Sequence, residues 1–174
     1  MNRSAFFAVT ATVITLTIAT APPGFALTQP AAAMPASTVQ QDAYGNISPD
    51  TLLAHYPAFA SEYARYQPSG AALEQMQQLQ GLQLLVLFGS WCHDSEREVP
   101  RLLKLLQQSG VTLSSLQLEA VNQQKHHPEQ LHSQHQLRYT STIIVLDNGR
   151  ELGRIIEKPA KSLAEDLAEI AAKR

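Results

Sequence analysis

Cys92 is the only cysteine of this 174-residue chain, so its neighbours decide what a lone thiol can do. It follows the apolar run Leu82–Phe88 and the pair Gly89-Ser90. Beyond it, Val99, Leu102, Leu103 and Leu106 recur at i, i+3, i+4 and i+7, which predicts a helix with one buried face. A side chain at a helix start meets first-turn N–H groups that have no partner within the helix, and the positive end of the helix dipole. Both favour the thiolate, the nucleophilic form of cysteine. His93 adds positive charge when protonated, Asp94 opposes the anion if it points inward, and Ser95 can bring its hydroxyl or N–H to the sulfur. The bland role for a lone cysteine is that of a small buried hydrophobe. Trp91 on one side and the polar His93-Asp94-Ser95 on the other favour a reactive thiol.

Other chemistry-bearing residues make weaker cases. The segment Lys125–His135 holds four of the six histidines. His132 and His135 lie one helical turn apart, and neutral imidazole is a common metal ligand. No standard zinc spacing appears, however, and no second cysteine joins them. A solvated polar segment is expected, with neither metal nor cofactor, lining the groove near Cys92 if it follows a strand on that edge. No phosphate-cradling glycine loop or Ser-His-Asp arrangement stands out, and Glu165, Asp166 and Glu169 look like an exposed helix face. With 13 Lys+Arg against 15 Asp+Glu, and a net charge of -2, the scattered cations exclude a general nucleic-acid binder.

The elements that position Cys92 follow from periodicity. Ser48-Pro49-Asp50 starts a helix in which Leu52, Leu53, Tyr56, Phe59, Tyr63 and Tyr66 recur, with Pro57 kinking or dividing it. Pro68-Ser69-Gly70 breaks the chain before a short helix through Ala72, Leu73, Met76 and Leu79. Leu82–Phe88 reads as a central strand buried on both faces, and Gly110 ends the helix that follows Cys92. Leu116–Val121 reads as a strand and 128–135 as a short polar helix. Thr142–Leu146, the turn Asp147-Asn148-Gly149 and Leu152–Ile156 form a hairpin, and Pro159 opens a last helix bearing Leu163, Leu167 and Ile170. A strand–helix–strand unit followed by a hairpin and a covering helix implies a mixed sheet with helices on both faces.

The N-terminus reads as a targeting segment. Arg3 is followed by the uncharged stretch 5–21, then by Pro22, Pro23 and small residues suited to cleavage after residue 26. An uncleaved anchor is the alternative, since about 17 apolar residues are marginal for a span. Cleavage would leave 12 Lys+Arg against 15 Asp+Glu and place the protein in the periplasm or outside the cell. In such oxidising compartments an unpaired cysteine points to intermolecular chemistry. The domain reading is a signal peptide (1–26), a flexible leader (27–47) and one domain (48–174), comprising a helical part (48–80) and a core (81–174).

The run Phe88-Gly89-Ser90-Trp91-Cys92-His93-Asp94-Ser95 resembles the strand–Trp-Cys-x-x-Cys–helix turn of the thioredoxin family. Pro100 matches the kinking proline of that family's active-site helix. A bacterial thioredoxin-like subgroup with Trp-Cys-x-Asp-Ser is closer still, because it continues as Arg97-Glu98-Val99-Pro100-Arg101 does here and ends like Gly153–Pro159. The resemblance spans roughly 80–174. It implies an α/β, thioredoxin-like fold: a central mixed β-sheet flanked by helices, here with an N-terminal helical extension. It also implies a monothiol-type thiol–disulfide oxidoreductase with Cys92 as nucleophile and Ser95 donating to the sulfur. Trp91, His93, Asp94, Thr140 and Ser141 would line the groove. The implied partners are protein thiols or disulfides, or a small thiol, acting on a monomer.

Three departures from the family pattern qualify that activity. Ser95 replaces the resolving cysteine, so Cys92 can attack a disulfide but cannot release the product with a second thiol of its own. Ser141 replaces the proline whose cis bond faces the cysteine, and a trans Thr140-Ser141 peptide is expected because a cis bond before a non-proline residue costs about 3 kcal/mol. Val86 replaces a buried carboxylate that accepts the proton, unless His93 or Asp94 substitutes. A non-catalytic module that binds partners in the same groove is the competing reading.

Overall fold

The computed structural model describes residues 40–174. The expected signal peptide and residues 27–39 of the expected leader lie outside the described residues. At the centre runs β2 (Gln83–Phe88). Leu84, Val86 and Phe88 enter the larger core, while Leu85 and Leu87 join Ile144 in a smaller one. Burial on both faces is why this strand is an unbroken apolar run rather than an alternating one. It pairs in parallel with β3 (Ser115–Ala120) and antiparallel with β4 (Thr142–Asp147). β5 (Arg150–Ile156) pairs antiparallel with β4. The hairpin turns through Asn148 and Gly149 at φ 49° and 81°, the geometry that an Asn-Gly pair adopts most readily.

One strand was not legible. β1 (Gly45–Asn46) pairs antiparallel with β3, giving the order β1-β3-β2-β4-β5. The leader expectation is therefore corrected over residues 40–47. Ala43 is buried with its N–H donating to Ser90 Oγ (2.9 Å), and Ile47 N–H donates to the Leu118 carbonyl (3.0 Å). Two paired residues carry no detectable periodicity, so only tertiary hydrogen bonds reveal them.

The helices follow their start and stop signals. Ser48 caps α1 (Pro49–His55), and Pro57, at the first position of α2 (Pro57–Arg65), divides the two. Ser69 caps α3 (Gly70–Gln75), which runs into a 3₁₀ turn over Met76–Leu79. α4 (His93–Ser109) connects β2 to β3 and stops at Gly110, whose φ of 65° suits glycine. α5 (Leu131–Gln134) is a single turn within the polar segment. α6 (Leu163–Ala171) is capped by Ser162, whose Oγ accepts from Glu165 N–H (3.2 Å). The last helix thus starts later than Pro159, because the Asp166 carboxylate binds the Ala160 and Lys161 N–H groups (2.6 and 3.2 Å) and holds that stretch as a turn.

The larger core takes Leu52, Phe59, Val99, Leu102, Leu105, Leu167 and Ile170 from the helices, with Phe59 edge-on to Phe88 at 5.8 Å. The smaller face is covered by Leu131 and Leu137 around α5. Helices thus cover the two faces of a mixed sheet unequally. A strand–helix–strand unit followed by a hairpin and a covering helix is the thioredoxin-like arrangement that the sequence implied. Among the described residues no helix is long and apolar enough to cross a membrane.

Two contacts seat α4, and with it Cys92. Buried Glu62 of α2 accepts hydrogen bonds from Arg65 and from Arg101 of α4 (2.6 Å for the latter). Burial pushes the Glu62 carboxyl up, but the two guanidinium groups outweigh it and the net direction is down. A depressed folded value means the stabilisation is complete above the ordinary carboxylate range. It fades as the pH falls from that range through the folded value. Glu62→Gln is expected to cost about 1–2 kcal/mol at neutral pH, since both arginines are partly solvated. Melting curves across acidic pH should show wild type and variant converging. The second contact is the Trp91 ring against Gly89, where an added Cβ would lie 2.6 Å from Cε2. Gly89→Ala should destabilise by about 1–3 kcal/mol through overpacking and shift the emission of Trp91, the single tryptophan.

Candidate functional site

β2 delivers the chain to the C-terminal end of the sheet, and Gly89-Ser90-Trp91 turns it into α4. Cys92 N–H donates to the Gly89 carbonyl (3.0 Å), and the Cys92 carbonyl accepts from Glu96 N–H (2.9 Å), which makes Cys92 the N-cap residue. The Cys92 side chain makes no capping hydrogen bond, so its sulfur accepts none from the first-turn amides of α4.

The thiol is partly exposed, and its Sγ donates to the Thr140 carbonyl at 3.1 Å. This contact spans the gap between the α4 turn and the loop that enters β4. Contrary to the expectation of a trans bond, the Thr140-Ser141 peptide is cis. The trans expectation rested on the local cost of the bond alone, whereas tertiary contacts hold this loop on both sides. The Thr140 carbonyl accepts from Cys92, the Ser141 carbonyl from Glu157 N–H (2.7 Å), and the Tyr139 carbonyl from Thr142 Oγ1 (2.7 Å). Thr140 and Ser141 are buried, so the loop presents backbone rather than side chains to the sulfur.

Of the other expected residues, Trp91 sits beside the thiol with Nε1 donating to the Val121 carbonyl (3.1 Å). Ser95 is fully buried, and its Oγ accepts from Gly89 N–H at 3.2 Å. It does not make the expected hydrogen bond to the sulfur. Its position one turn into α4 aims it back at the strand end, where an unpaired N–H needs an acceptor. His93 points away, with 88% of its side chain exposed and Glu96 3.8 Å distant. Asp94 is held by Arg97 (2.7 Å), and Arg97 also pairs with buried Glu98 (2.6 Å). Neither His93 nor Asp94 reaches the sulfur as a base. Val86 lies fully buried in the larger core.

A second polar centre was not foreseen. Glu119 on β3 is buried and accepts from Asn46 Nδ2 (2.8 Å), while its other oxygen lies 3.0 Å from His127 Nε2. His127 Nδ1 accepts from Glu129 N–H (3.1 Å), so the proton resides on Nε2 and is donated to the carboxylate. One cue was available: an acid inside a buried strand requires a partner, and four histidines follow it. The remaining histidines do not assemble. The rings of His126 and His132 stack at 4.9 Å, and His132 Nδ1 accepts from His127 N–H (2.9 Å). Desolvation, then the neighbouring His126 and His127, lower the His132 pKa. Among the described residues no group of three or more His, Cys, Asp or Glu side chains is placed to hold a metal ion.

Comparison with known proteins gives likeness of fold. No family model and no curated protein matches the chain. It is similar to the solved structure of a Pseudomonas aeruginosa protein of unknown function, with 20% identity, a TM-score of 0.53 and coverage of 74% of this chain and 83% of that one. It is also similar to an HIV epitope-scaffold, with 18% identity, a TM-score of 0.50 and coverage of 74% and 84%. Fasciola hepatica thioredoxin aligns at 14% identity and a TM-score of 0.37, covering 57% and 88%. The first two likenesses, at identities this low, speak for shared architecture and not for shared chemistry. The chain is an α/β protein of thioredoxin-like fold whose single cysteine begins the helix after the central strand.

Proposed function

We propose that this protein is an exported, single-cysteine thiol–disulfide exchange protein of the cell envelope, of the bacterial Trp-Cys-x-Asp-Ser kind. The observation that carries the reading is the placement of Cys92: partly exposed, at the uncapped start of α4, beside Trp91 and against the Thr140 carbonyl. That contact suits the protonated thiol as donor.

The proposed exchange conserves atoms and electrons. The Cys92 thiolate attacks one sulfur of a partner disulfide, whose second sulfur leaves as a thiolate and takes up a proton. The product is a Cys92–partner mixed disulfide. A small thiol of the compartment then attacks this bond on the partner's sulfur. Cys92 returns as thiolate, and the partner is left joined to the small thiol. Buried Ser95 would keep the Gly89 turn in shape rather than act on the sulfur. Cleavage after residue 26 and action in the periplasm or outside the cell belong to the same proposal. A non-catalytic binding role competes with it, favoured by one observation: no carboxylate or imidazole among the described residues contacts the sulfur.

Reduced protein mixed with a peptide disulfide should form a Cys92–peptide adduct by intact mass, persisting until glutathione is added. Cys92→Ser should form none. Failure of the folded wild type to form the adduct would sink the exchange reading, and full partner binding by Cys92→Ser would favour the binding module. Ser95→Cys restores a Cys-x-x-Cys spacing. In that variant the adduct should collapse to an internal disulfide with release of peptide thiol. An unchanged adduct lifetime would mean that the side chain at position 95 keeps its direction toward Gly89 N–H and does not reach the sulfur.

A further inference from the structure

The outer edge of β5 combines three properties that the exchange chemistry does not use. First, β5 pairs only with β4, at the end of the sheet. Glu157 N–H donates to the Ser141 carbonyl, and Ile155 lies opposite Ile143. In an antiparallel ladder this phase turns the N–H groups of Arg154 and Ile156 away from β4, while the outward Ile156 carbonyl is taken by Lys158 N–H (2.7 Å). Second, Ile156 and Tyr139 are 45% and 51% exposed, two of the three large exposed apolar side chains among the described residues. Both line a cleft of about 320 Å³ together with Arg138 and Arg154.

Third, the charge here is opposite to that of the whole. A second cleft of about 350 Å³ shares Arg154 and Ile156 and adds Lys158, Lys161 and Lys173. The acids lining it are Asp166, which is engaged by two backbone N–H groups, and Glu169, which pairs with Lys161. Arg154 is balanced by Glu151. Arg138 and Lys158 form no ion pair among the described residues, in a chain of net charge -2. Cations on an edge strand can serve to repel other strands. That role accounts for the charges but not for an exposed isoleucine and tyrosine set among them.

We infer that the β5 edge docks an extended, acidic segment of a partner protein. Its backbone would add alongside Arg154 and Ile156, an apolar side chain would sit on Ile156 and Tyr139, and carboxylates would face Arg138 and Lys158. Tyr139 directly precedes Thr140, whose carbonyl touches the Cys92 sulfur. A segment held here would lie next to the loop whose Thr140 carbonyl contacts the thiol. The inference rests on the exchange reading only in treating the docked protein as the carrier of the disulfide.

The test uses the wild-type protein and Cys92→Ser with a cysteine-free peptide of alternating glutamate and valine, titrated calorimetrically, and its lysine–valine counterpart as control. Both proteins should bind the acidic peptide alike. Binding should weaken at least about tenfold in Arg138→Glu/Lys158→Glu and should fall with added salt. Ile156→Asn should weaken it without lowering the melting temperature. Equal binding of both peptides, or no loss in the charge-reversed variant, would overturn the inference. So would sedimentation showing that this edge instead pairs two copies of the chain, or binding confined to phosphatidylglycerol vesicles. Because the peptide lacks sulfur, failure here leaves the Cys92 adduct test untouched, and failure of that test leaves this one intact.

Discussion

Burial of β2 on both faces governs the rest of the molecule. A strand with Leu84, Val86 and Phe88 on one side and Leu85 and Leu87 on the other must have its neighbours in place before it is stable. Its parallel partner β3 can be reached only by a crossover, which here is α4. The chain must therefore leave the sheet at Gly89 and begin a helix within a few residues. Cys92 falls at that junction. The thiol's place at the start of α4 is thus a consequence of core packing, since the constraint that buries Phe88 also sends the chain into that helix.

Around that junction, polar groups are matched one to one. Ser95 satisfies Gly89 N–H, Ser90 satisfies Ala43 N–H, and Val121 carbonyl receives the Trp91 indole. On the far edge, Glu119 joins Asn46 of β1 to His127, tying the short edge strand and the polar loop to β3. Among the described residues no buried side-chain polar atom lacks a partner. Satisfaction of this kind fixes one arrangement among several that the apolar core alone would tolerate. Ser95 fits the same scheme, because it is used structurally by the strand end rather than chemically by the sulfur.

Most of this was legible in the sequence where one local rule dominates. The unbroken apolar run gave β2, the Asn148-Gly149 pair gave the hairpin, and Pro57 divided α1 from α2. The start of α4, and with it the place of Cys92, followed from helical spacing and the resemblance of its turn. What escaped depends on contacts between distant segments. β1 exists through hydrogen bonds to β3 and Ser90, and the peptide before Ser141 is set by its surroundings rather than by its residue type. The direction of Ser95 depends on which unpaired group lies nearest, and no periodicity encodes that. His127 illustrates the limit well: its segment reads as solvated, yet one of its four histidines is buried because Glu119 waits beneath it.

The proposed exchange requires that folding make Cys92 a better nucleophile than the same residue in an unstructured chain. Its most direct measure is the rate of reaction with dithiobis-nitrobenzoate at neutral pH, for the folded protein and for the urea-unfolded chain. The folded protein should react several-fold faster, because unfolding removes the start of α4 from the sulfur. A folded protein that reacts more slowly than the unfolded chain, or at the same rate, would contradict the proposed exchange.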